Sequence, residues 1–389
     1  MGLPSNWRLR GACFGQFVAI GILSTFEAVF MKEQGLGEAL IGIINGLGVA
    51  IIAASSLFWG RVADRGISEE ILITIGFVFG AIVLAILPLC HSSLDFLLYT
   101  TFRGLTIPMA FSLMPALVIS RLGPAGQGIE YARYRQWGSA GFVLGTLVLP
   151  TVVDDIQGIF WLASAFLVGA AIIVARDRPS VSVATPIRSR VPISWSRSLV
   201  TFLAANFFAG FAIPGVFGFL SLFARSMDAD NIMIGILAGA NGIIAVLALP
   251  LMGRIVDQFG VRRVLWLAFA AYPIRLMIIS FAPNYWWLFA AQPLHLLSFA
   301  GYDVASVLYV ARHVSVDNRA TAQALLSSTR MAGFFFGAIL TGYLAEHIGY
   351  VSMYQVIAGI TSISLIAYMI GLRGQPPLKP VYGQPVDAS

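Results

Sequence analysis

Seven ionisable side chains of this 389-residue chain stand within or at the edge of apolar runs long enough to cross a bilayer. They are two carboxylates, Glu27 and Asp303, four guanidinium groups, Arg103, Arg135, Arg275 and Arg330, and the imidazole of His295. Charge at that depth is expensive and marks a path for a solute or an ion. Carboxylates and an imidazole can take up and release protons, the imidazole near neutral pH without a large shift. Guanidinium groups bind carboxylate or phosphate in bidentate fashion. Four arginines against two acids leave an excess of positive charge, and an uncompensated buried cation is costly. A small anion is therefore the expected visitor, with Arg135, Arg275 and Arg330 as its candidate contacts and Glu27, His295 and Asp303 as candidate proton sites. Gln16, Asn206, Asn241, Trp137 and Tyr302 are the further candidates for substrate contact, suited to hydroxyls and a ring face.

Helical spacing groups these residues. At 100° per residue, Gln16 and Glu27 lie about 20° apart on one helix face. His295, Phe299, Tyr302 and Asp303 fall within about 100° of arc, a single stripe. Gln323, Ser327, Arg330 and Thr341 share a third face, and such stripes should look toward protein or water. Each assignment has a plainer competitor. Glu27 is a proton site or an ion pair with Lys32 or an arginine. Asp303 is a proton site or a fixed partner of Arg330 or Arg275. His295 is a relay or a satisfied core histidine.

The elements that hold these residues follow from hydropathy. The chain is 58% hydrophobic and 11% charged, against about 25% charged in a soluble domain. Breaks at charge clusters, Gly and Pro give twelve spans, near 10–31, 38–59, 71–90, 96–121, 134–152, 158–175, 198–224, 231–252, 264–282, 285–311, 320–344 and 350–372. Each is close to the roughly 20 residues that cross a hydrocarbon core. The fold class is an all-α membrane protein. Residues 1–176 and 198–373 form two six-helix bundles, 177–197 a cytoplasmic linker and 374–389 a cytoplasmic tail. With the N-terminus inside, only Lys32 and Arg225 of the Lys and Arg outside the spans lie on the outer face, as basic loops should be cytoplasmic. The net charge of +6 follows that rule and does not point to nucleic acid. Cys13 and Cys90 fall in apolar helices and suggest no disulfide. The first span reads as retained, without a small-residue cleavage site.

A repeat divides the chain. Gly60-Arg61-Val62-Ala63-Asp64-Arg65-Gly66 returns 193 residues later as Gly253-Arg254-Ile255-Val256-Asp257, continued by Gln258-Phe259-Gly260-Val261-Arg262-Arg263. Gly141 and Gly145 correspond to Gly333 and Gly337, and small residues four apart let helices approach closely in lipid. Internal repeats of this kind mark secondary transporters.

Twelve spans in two halves, with a Gly-x-x-x-Asp hairpin after spans two and eight, resemble the major facilitator superfamily. Tyr131-Ala132-Arg133-Tyr134-Arg135-Gln136-Trp137-Gly138-Ser139, Gln292-Pro293-Leu294-His295 and Arg275 are similar to its proton-coupled lactose permease, nucleoside and phenylpropionate permease-like branch. The resemblance implies alternating access in a bacterial inner membrane, with spans one, four, seven and ten lining a central cavity. It implies that Gly60, Arg61, Asp64, Arg65, Gly253, Arg254 and Asp257 form a cytoplasmic gate, where an Asp near a helix N-terminus is favoured by the dipole. It places Arg135 on the substrate and Arg275 with His295 in the proton-coupling region. The chain also departs from the pattern. Ser298 stands where the branch has its proton-carrying glutamate, carboxylates are missing around Val118 and Gly239, and Thr146 follows Gly145 where efflux antiporters have Pro.

The expected function is proton-coupled symport of a small organic anion by a monomer in the lipid bilayer, with no cofactor and no metal. The alternatives are a sugar or nucleoside symporter and a proton-driven efflux antiporter. No His-Glu-x-x-His or Gly-x-Ser-x-Gly segment occurs, and no second carboxylate pairs with Asp303 for aspartyl chemistry, so an enzyme is not expected.

Overall fold

The computed structural model describes residues 5–65, 67–121, 127–176, 195–314 and 319–373. Side chains are described for all of these except 5–6, 64, 116, 119–121, 127–133, 249–250, 311–312 and 319–320. The linker and tail expected at 177–197 and 374–389 lie almost wholly outside the described residues, as does the side chain of Asp64. Among the described residues there are helices and no strands.

Span one is α1 (Ser5–Glu33), span two α2 (Glu38–Asp64) and span three α3 (Glu69–Ile86). Span four is split into α4 (Ser93–Phe111) and α5 (Leu113–Arg121). Span five runs from α6 (Gln127–Val143) through a π-helical turn, Leu144–Val148, to α7 (Leu149–Val152), and span six is α8 (Ile156–Ala175). Span seven comes in three pieces, α9 (Arg197–Gly210), α10 (Ala212–Val216) and α11 (Gly218–Arg225). Span eight is α12 (Asn231–Phe259) and span nine α13 (Val261–Ser280). Span ten is a 3₁₀ stretch, Tyr285–Leu294, a π-helical stretch, Leu296–Gly301, and α14 (Tyr302–His313). Spans eleven and twelve form one continuous element, α15 (Arg319–Leu372), kinked at Gly349, whose φ of 77° only glycine adopts without strain.

Eight of these elements are long and apolar enough to cross a membrane, and the last of the eight contains both final spans. Spans four, five and ten are not among the eight. Four of the element starts are fixed by side-chain caps. Ser92 and Asp95 form a reciprocal box on α4, Asp155 accepts from Gln157 and Gly158 on α8, Ser196 caps α9 and Asn284 caps span ten. These satisfy orphan N–H groups that lipid-facing ends could not leave open.

The chain packs as two units. The first holds residues 1–187 with Val216–Ile243 and Ala338–His347; the second holds Arg188–Gly215, Ile244–Gly337 and Ile348–Ser389. Within the first, a Cβ on Gly141 would run into the Phe14 carbonyl, and one on Gly145 would stand 2.5 Å from the Val18 oxygen. Within the second, a Cβ on Gly333 would run into the Phe207 carbonyl, and one on Gly337 would lie 2.7 Å from the Phe211 Cα. The two glycine pairs therefore seat span five on span one and span eleven on span seven, the close-packing role that their spacing predicts. A further small-residue seam inside the first unit joins Gly42 of α2 to Ala338 and Gly342 of α15.

The hairpin glycines are different: nothing lies within 4 Å of a Cβ built on Gly60 or Gly253. Arg61, Arg65, Arg254 and Asp257 are exposed. The dipole expectation for the two aspartates needs correcting. Asp64 is the final residue of α2 and Asp257 lies in the last turn of α12, so each stands at the C-terminal end of its own helix. At such an end the exposed charge of Asp257 opposes the helix dipole.

The contrast between tight and open glycines is testable. Gly333→Leu should cost about 1–3 kcal/mol by overpacking and lower the thermal unfolding midpoint of the purified protein by several degrees. Gly253→Ala should stay within about 0.5 kcal/mol of the parent. Equal losses in the two variants would contradict the assignment.

Candidate functional site

In the first unit the buried acid of span one meets the arginine of span four. Glu27 is 5% exposed, and Arg103 of α4 donates to its Oε2 in a salt bridge. Room for the guanidinium comes from α2, where a Cβ on Gly48 would lie 2.9 Å from Arg103 Nη2. The Arg103 guanidinium also stands over the Tyr99 ring, 5.6 Å from its centroid. Lys32 is engaged elsewhere, 2.8 Å from Glu38. Of the partners open to Glu27, the structure selects Arg103. Oε1 of Glu27 is buried without a hydrogen bond among the described residues, leaving half of the carboxylate unmet.

In the same unit Ser24, Thr25, Phe142, Phe217, Ser221 and Asn241 line a small cavity. Thr25 Oγ1 is buried there without a hydrogen bond among the described residues. Asn241, a predicted contact, is at this cavity; Ser24, Thr25 and Ser221 are not foreseeable, since a serine or threonine in an apolar helix usually bonds its own backbone. Gln16 is buried on α1, as its spacing with Glu27 requires. Arg135 is exposed, its guanidinium 4.8 Å from the centroid of the Phe17 ring. Trp137 is exposed as well, with Trp7 and Phe14 edge-on to it at 5.6 and 6.2 Å.

The second unit holds the other predicted cations. Arg275 of α13 is 1% exposed. Its Nη2 donates to Gln292 Oε1 at 2.7 Å, and its Nη1 lies 2.9 Å from His295 Nδ1. Gln292 in turn donates to the Leu288 carbonyl at 2.9 Å. The local backbone explains why both acceptors reach one arginine. In a 3₁₀ helix, residues three apart eclipse, so Gln292 and His295, at the end of the 3₁₀ stretch, present to the same side. Pro293 between them lacks the N–H that an α-helix would use. The His295 ring stacks on Phe299, centroids 4.8 Å apart and 8° from parallel.

After His295 the π-helical stretch shifts the register, and this breaks the single stripe expected for span ten. His295 and Tyr302 are buried, whereas Asp303 is exposed. Tyr302 donates to Asn206 Oδ1, Asn206 Nδ2 donates to the Leu326 carbonyl at 2.6 Å, and Arg330 stands 4.5 Å from the Tyr302 ring centroid. Arg330 feels the charge of Asp303 and lies beside Tyr272, but among the described residues Asp303 makes no ion pair with Arg330 or Arg275. A carboxylate exposed on a spanning helix cannot face hydrocarbon cheaply, so this face of the unit must meet water. Tyr272 and Gln292 complete the cluster; Gln292 carried a signal in its Gln-Pro-Leu-His setting, Tyr272 none.

Comparison with known proteins places this arrangement. Residues 6–356 match the model of the MFS_1 like family. The chain is 24% identical over 364 residues to the probable 3-phenylpropionic acid transporter of Escherichia coli, covering 90% of this chain and 94% of that one. It is 22% identical to the multidrug resistance protein MdtG of Citrobacter koseri, over 95% and 97% of the two chains. A multi-drug resistance efflux pump PmrA homolog of Lactococcus lactis is 25% identical, but the match spans under half of either protein, 45% of this chain and 44% of that one. In three dimensions the chain resembles the nucleoside transporter NupG, with a TM-score of 0.82 at 17% identity over 96% of this chain and all of that one.

The ion pair in the first unit yields a stability prediction. Glu27→Gln leaves Arg103 buried without its anion and should destabilise the protein by about 3–5 kcal/mol, while Glu27→Gln with Arg103→Met recovers most of the loss. Thermal unfolding in detergent measures both. A double variant no more stable than the single one would show that the pair is not the relevant interaction.

Proposed function

The chain belongs to the MFS_1 like family of the major facilitator superfamily and is a multi-pass membrane transporter, not an enzyme, and from that premise we propose that it carries a small organic anion together with protons. The observation that supports this reading is Arg275. It is buried in the second unit, and two of its acceptors, Gln292 and His295, are uncharged groups that a carboxylate could displace. Arg330 lies on the neighbouring ring of Tyr302. Such groups hold positive charge ready for a carboxylate, which two guanidinium groups recognise in geometry as well as in charge. Arg135 is the corresponding contact on span five, and Trp137, Gln16, Asn206, Asn241 and Tyr302 shape the rest of the substrate's surroundings.

Proton coupling rests on Glu27, His295 and Asp303. Protonating Glu27 would release Arg103 from its pair, and a contact made in one state only can bias an alternating-access equilibrium. The two repeated hairpins, Gly60 to Arg65 and Gly253 to Asp257, act as the cytoplasmic gate, and residues 1–176 and 198–373 move as two bodies. The termini are cytoplasmic by the placement of basic residues, in a bacterial inner membrane. The protein works as a monomer.

Two other readings each have one supporting fact. The uncharged hydroxyl and amide lining of the first unit's cavity, Ser24, Thr25, Ser221 and Asn241, suits a sugar or nucleoside. The names of the efflux-pump relatives suit export.

A thermal-shift screen of the purified protein separates the substrate classes. A bound solute at about 100 times its Kd stabilises by about 2.7 kcal/mol. The organic-anion reading expects aromatic carboxylates such as 3-phenylpropionate to shift the midpoint and sugars and nucleosides to leave it in place; the reverse pattern overturns it. In proteoliposomes, Glu27→Gln combined with Asp303→Asn should abolish uptake driven by an inward proton gradient. Uptake that survives at the parental rate would rule out coupling through these acids.

A further inference from the structure

One hydrogen bond in the second unit carries more chemistry than its position suggests. Nη1 of Arg275 lies 2.9 Å from Nδ1 of His295. A guanidinium has donors and no acceptor, so the imidazole nitrogen facing it must offer a lone pair. While that contact stands, Nδ1 is bare, the ring is neutral, and its one proton is on Nε2. A second proton has only Nδ1 to go to. The proton and the Arg275 donor therefore compete for one lone pair and cannot hold it together.

We infer that this competition links proton binding to anion binding: an anion that draws the Arg275 donors to itself frees Nδ1, and the proton that then settles on Nδ1 gives the anion a second cation. The inference rests on the organic-anion reading proposed above and adds the means by which proton and solute travel together. The sequence of contacts balances without any other partner. The Arg275–His295 hydrogen bond breaks, a guanidinium–carboxylate hydrogen bond forms, and one proton from water joins the ring. Without the anion, protonation would put two cations side by side in a buried site, an arrangement that burial penalises severely. With the anion, the three groups form a plus–minus–plus set. Neither ligand is then favoured to bind alone.

The surroundings support this reading. The charged groups acting on His295 from neighbouring elements are Arg275 of α13 and Arg330 of α15, both cations. Tyr272 of α13 and Tyr354 of α15 stand near Arg275, and Tyr354 is held by donating to the Gly215 carbonyl at 2.7 Å. On span ten itself Asp303 is the nearest acid in sequence, and it is exposed while His295 is buried. No carboxylate among these neighbours makes an ion pair with His295 among the described residues, and a bound anion would supply the negative charge that stabilises a protonated ring. The stacked Phe299 ring holds the imidazole plane, and in that plane Nδ1 is the nitrogen 2.9 Å from Arg275 Nη1.

Nitrogen-15 NMR of histidine-labelled protein tests the inference, with His295 identified among the four histidines by its loss in His295→Gln. Without solute, near about pH 7, where a free imidazole is largely neutral, the ring should show a bare Nδ1 and a protonated Nε2. With saturating benzoate or 3-phenylpropionate, both nitrogens should be protonated. In parallel, the affinity of the parent for the same probes should rise about tenfold for each unit fall in pH, the slope of one linked proton. His295→Gln keeps an acceptor for Arg275 and should bind the probes with no such slope, whereas His295→Leu removes the acceptor and should lower the unfolding midpoint as well. A ring with Nδ1–H or a cationic ring in the absence of probe overturns the inference at its premise. Probe binding that leaves the ring neutral, or that keeps its pH slope in His295→Gln, overturns the coupling while leaving the anion reading standing. Failure of both probes to bind the parent overturns the anion reading itself and takes the coupling with it.

Discussion

A guanidinium shut inside a membrane protein must be surrounded by acceptors, because neither hydrocarbon nor packed side chains will solvate it. Arg275, 1% exposed, imposes that condition on span ten. A regular α-helix would turn Gln292 and His295 about 60° apart. The 3₁₀ stretch Tyr285–Leu294 brings them over one another and so delivers both acceptors to one arginine. The π-helical residues Leu296–Gly301 that follow then reset the register, turning Tyr302 inward toward Asn206 and leaving Asp303 on the exposed face. Irregular backbone at membrane depth is tolerated where it is buried in protein or lines water. In span ten it is found where the charges are.

The scaffold that holds these charges is made twice. Span five lies on span one through Gly141 and Gly145, and span eleven lies on span seven through Gly333 and Gly337, backbone against backbone in each case. Absence of a side chain at four positions fixes helix separation at a level that dispersion forces in lipid can sustain. The seams also place two of the arginines. Arg330 contributes its own carbonyl to the close contact with Gly210, so the height of its guanidinium against Tyr302 is set by the backbone. On the other side, Arg135 sits two turns before Gly141 and lies over Phe17, three residues beyond Phe14.

Much of this was legible in the sequence, and the parts that were not share a cause. Twelve spans, the duplicated hairpin and the packing glycines follow from hydropathy, repetition and residue size, which depend little on local geometry. Seven ionisable groups stood out because charge is rare at that depth. What could not be read was which groups meet. Glu27 finds Arg103 and not Lys32 because Lys32 is taken by Glu38 and because Gly48 opens a space that hydropathy cannot register. The stripe expected of span ten fails because a fixed 100° per residue does not apply to a helix that is 3₁₀ and then π. The hairpin aspartates lie at the C-terminal ends of their helices, which run on past the ends of the spans drawn from hydropathy, 38–59 and 231–252. The first unit's cavity was invisible, since Ser24, Thr25 and Ser221 are unremarkable residues until the helices bring them together.

In the proposed function, buried cations await an anion and the proton enters with it. Its central claim is the sign of the coupling, and that sign can be read without identifying which group carries the proton. Proteoliposomes holding a trapped pH indicator, with no proton gradient at the start, would be given an inward gradient of 3-phenylpropionate, with membrane-impermeant controls for passive entry of the free acid and empty liposomes alongside. The account predicts interior acidification, above the empty-liposome trace, that follows solute entry and vanishes in Glu27→Gln with Asp303→Asn. Protein-dependent alkalinisation as the solute enters would mean exchange of proton for solute, and would contradict it.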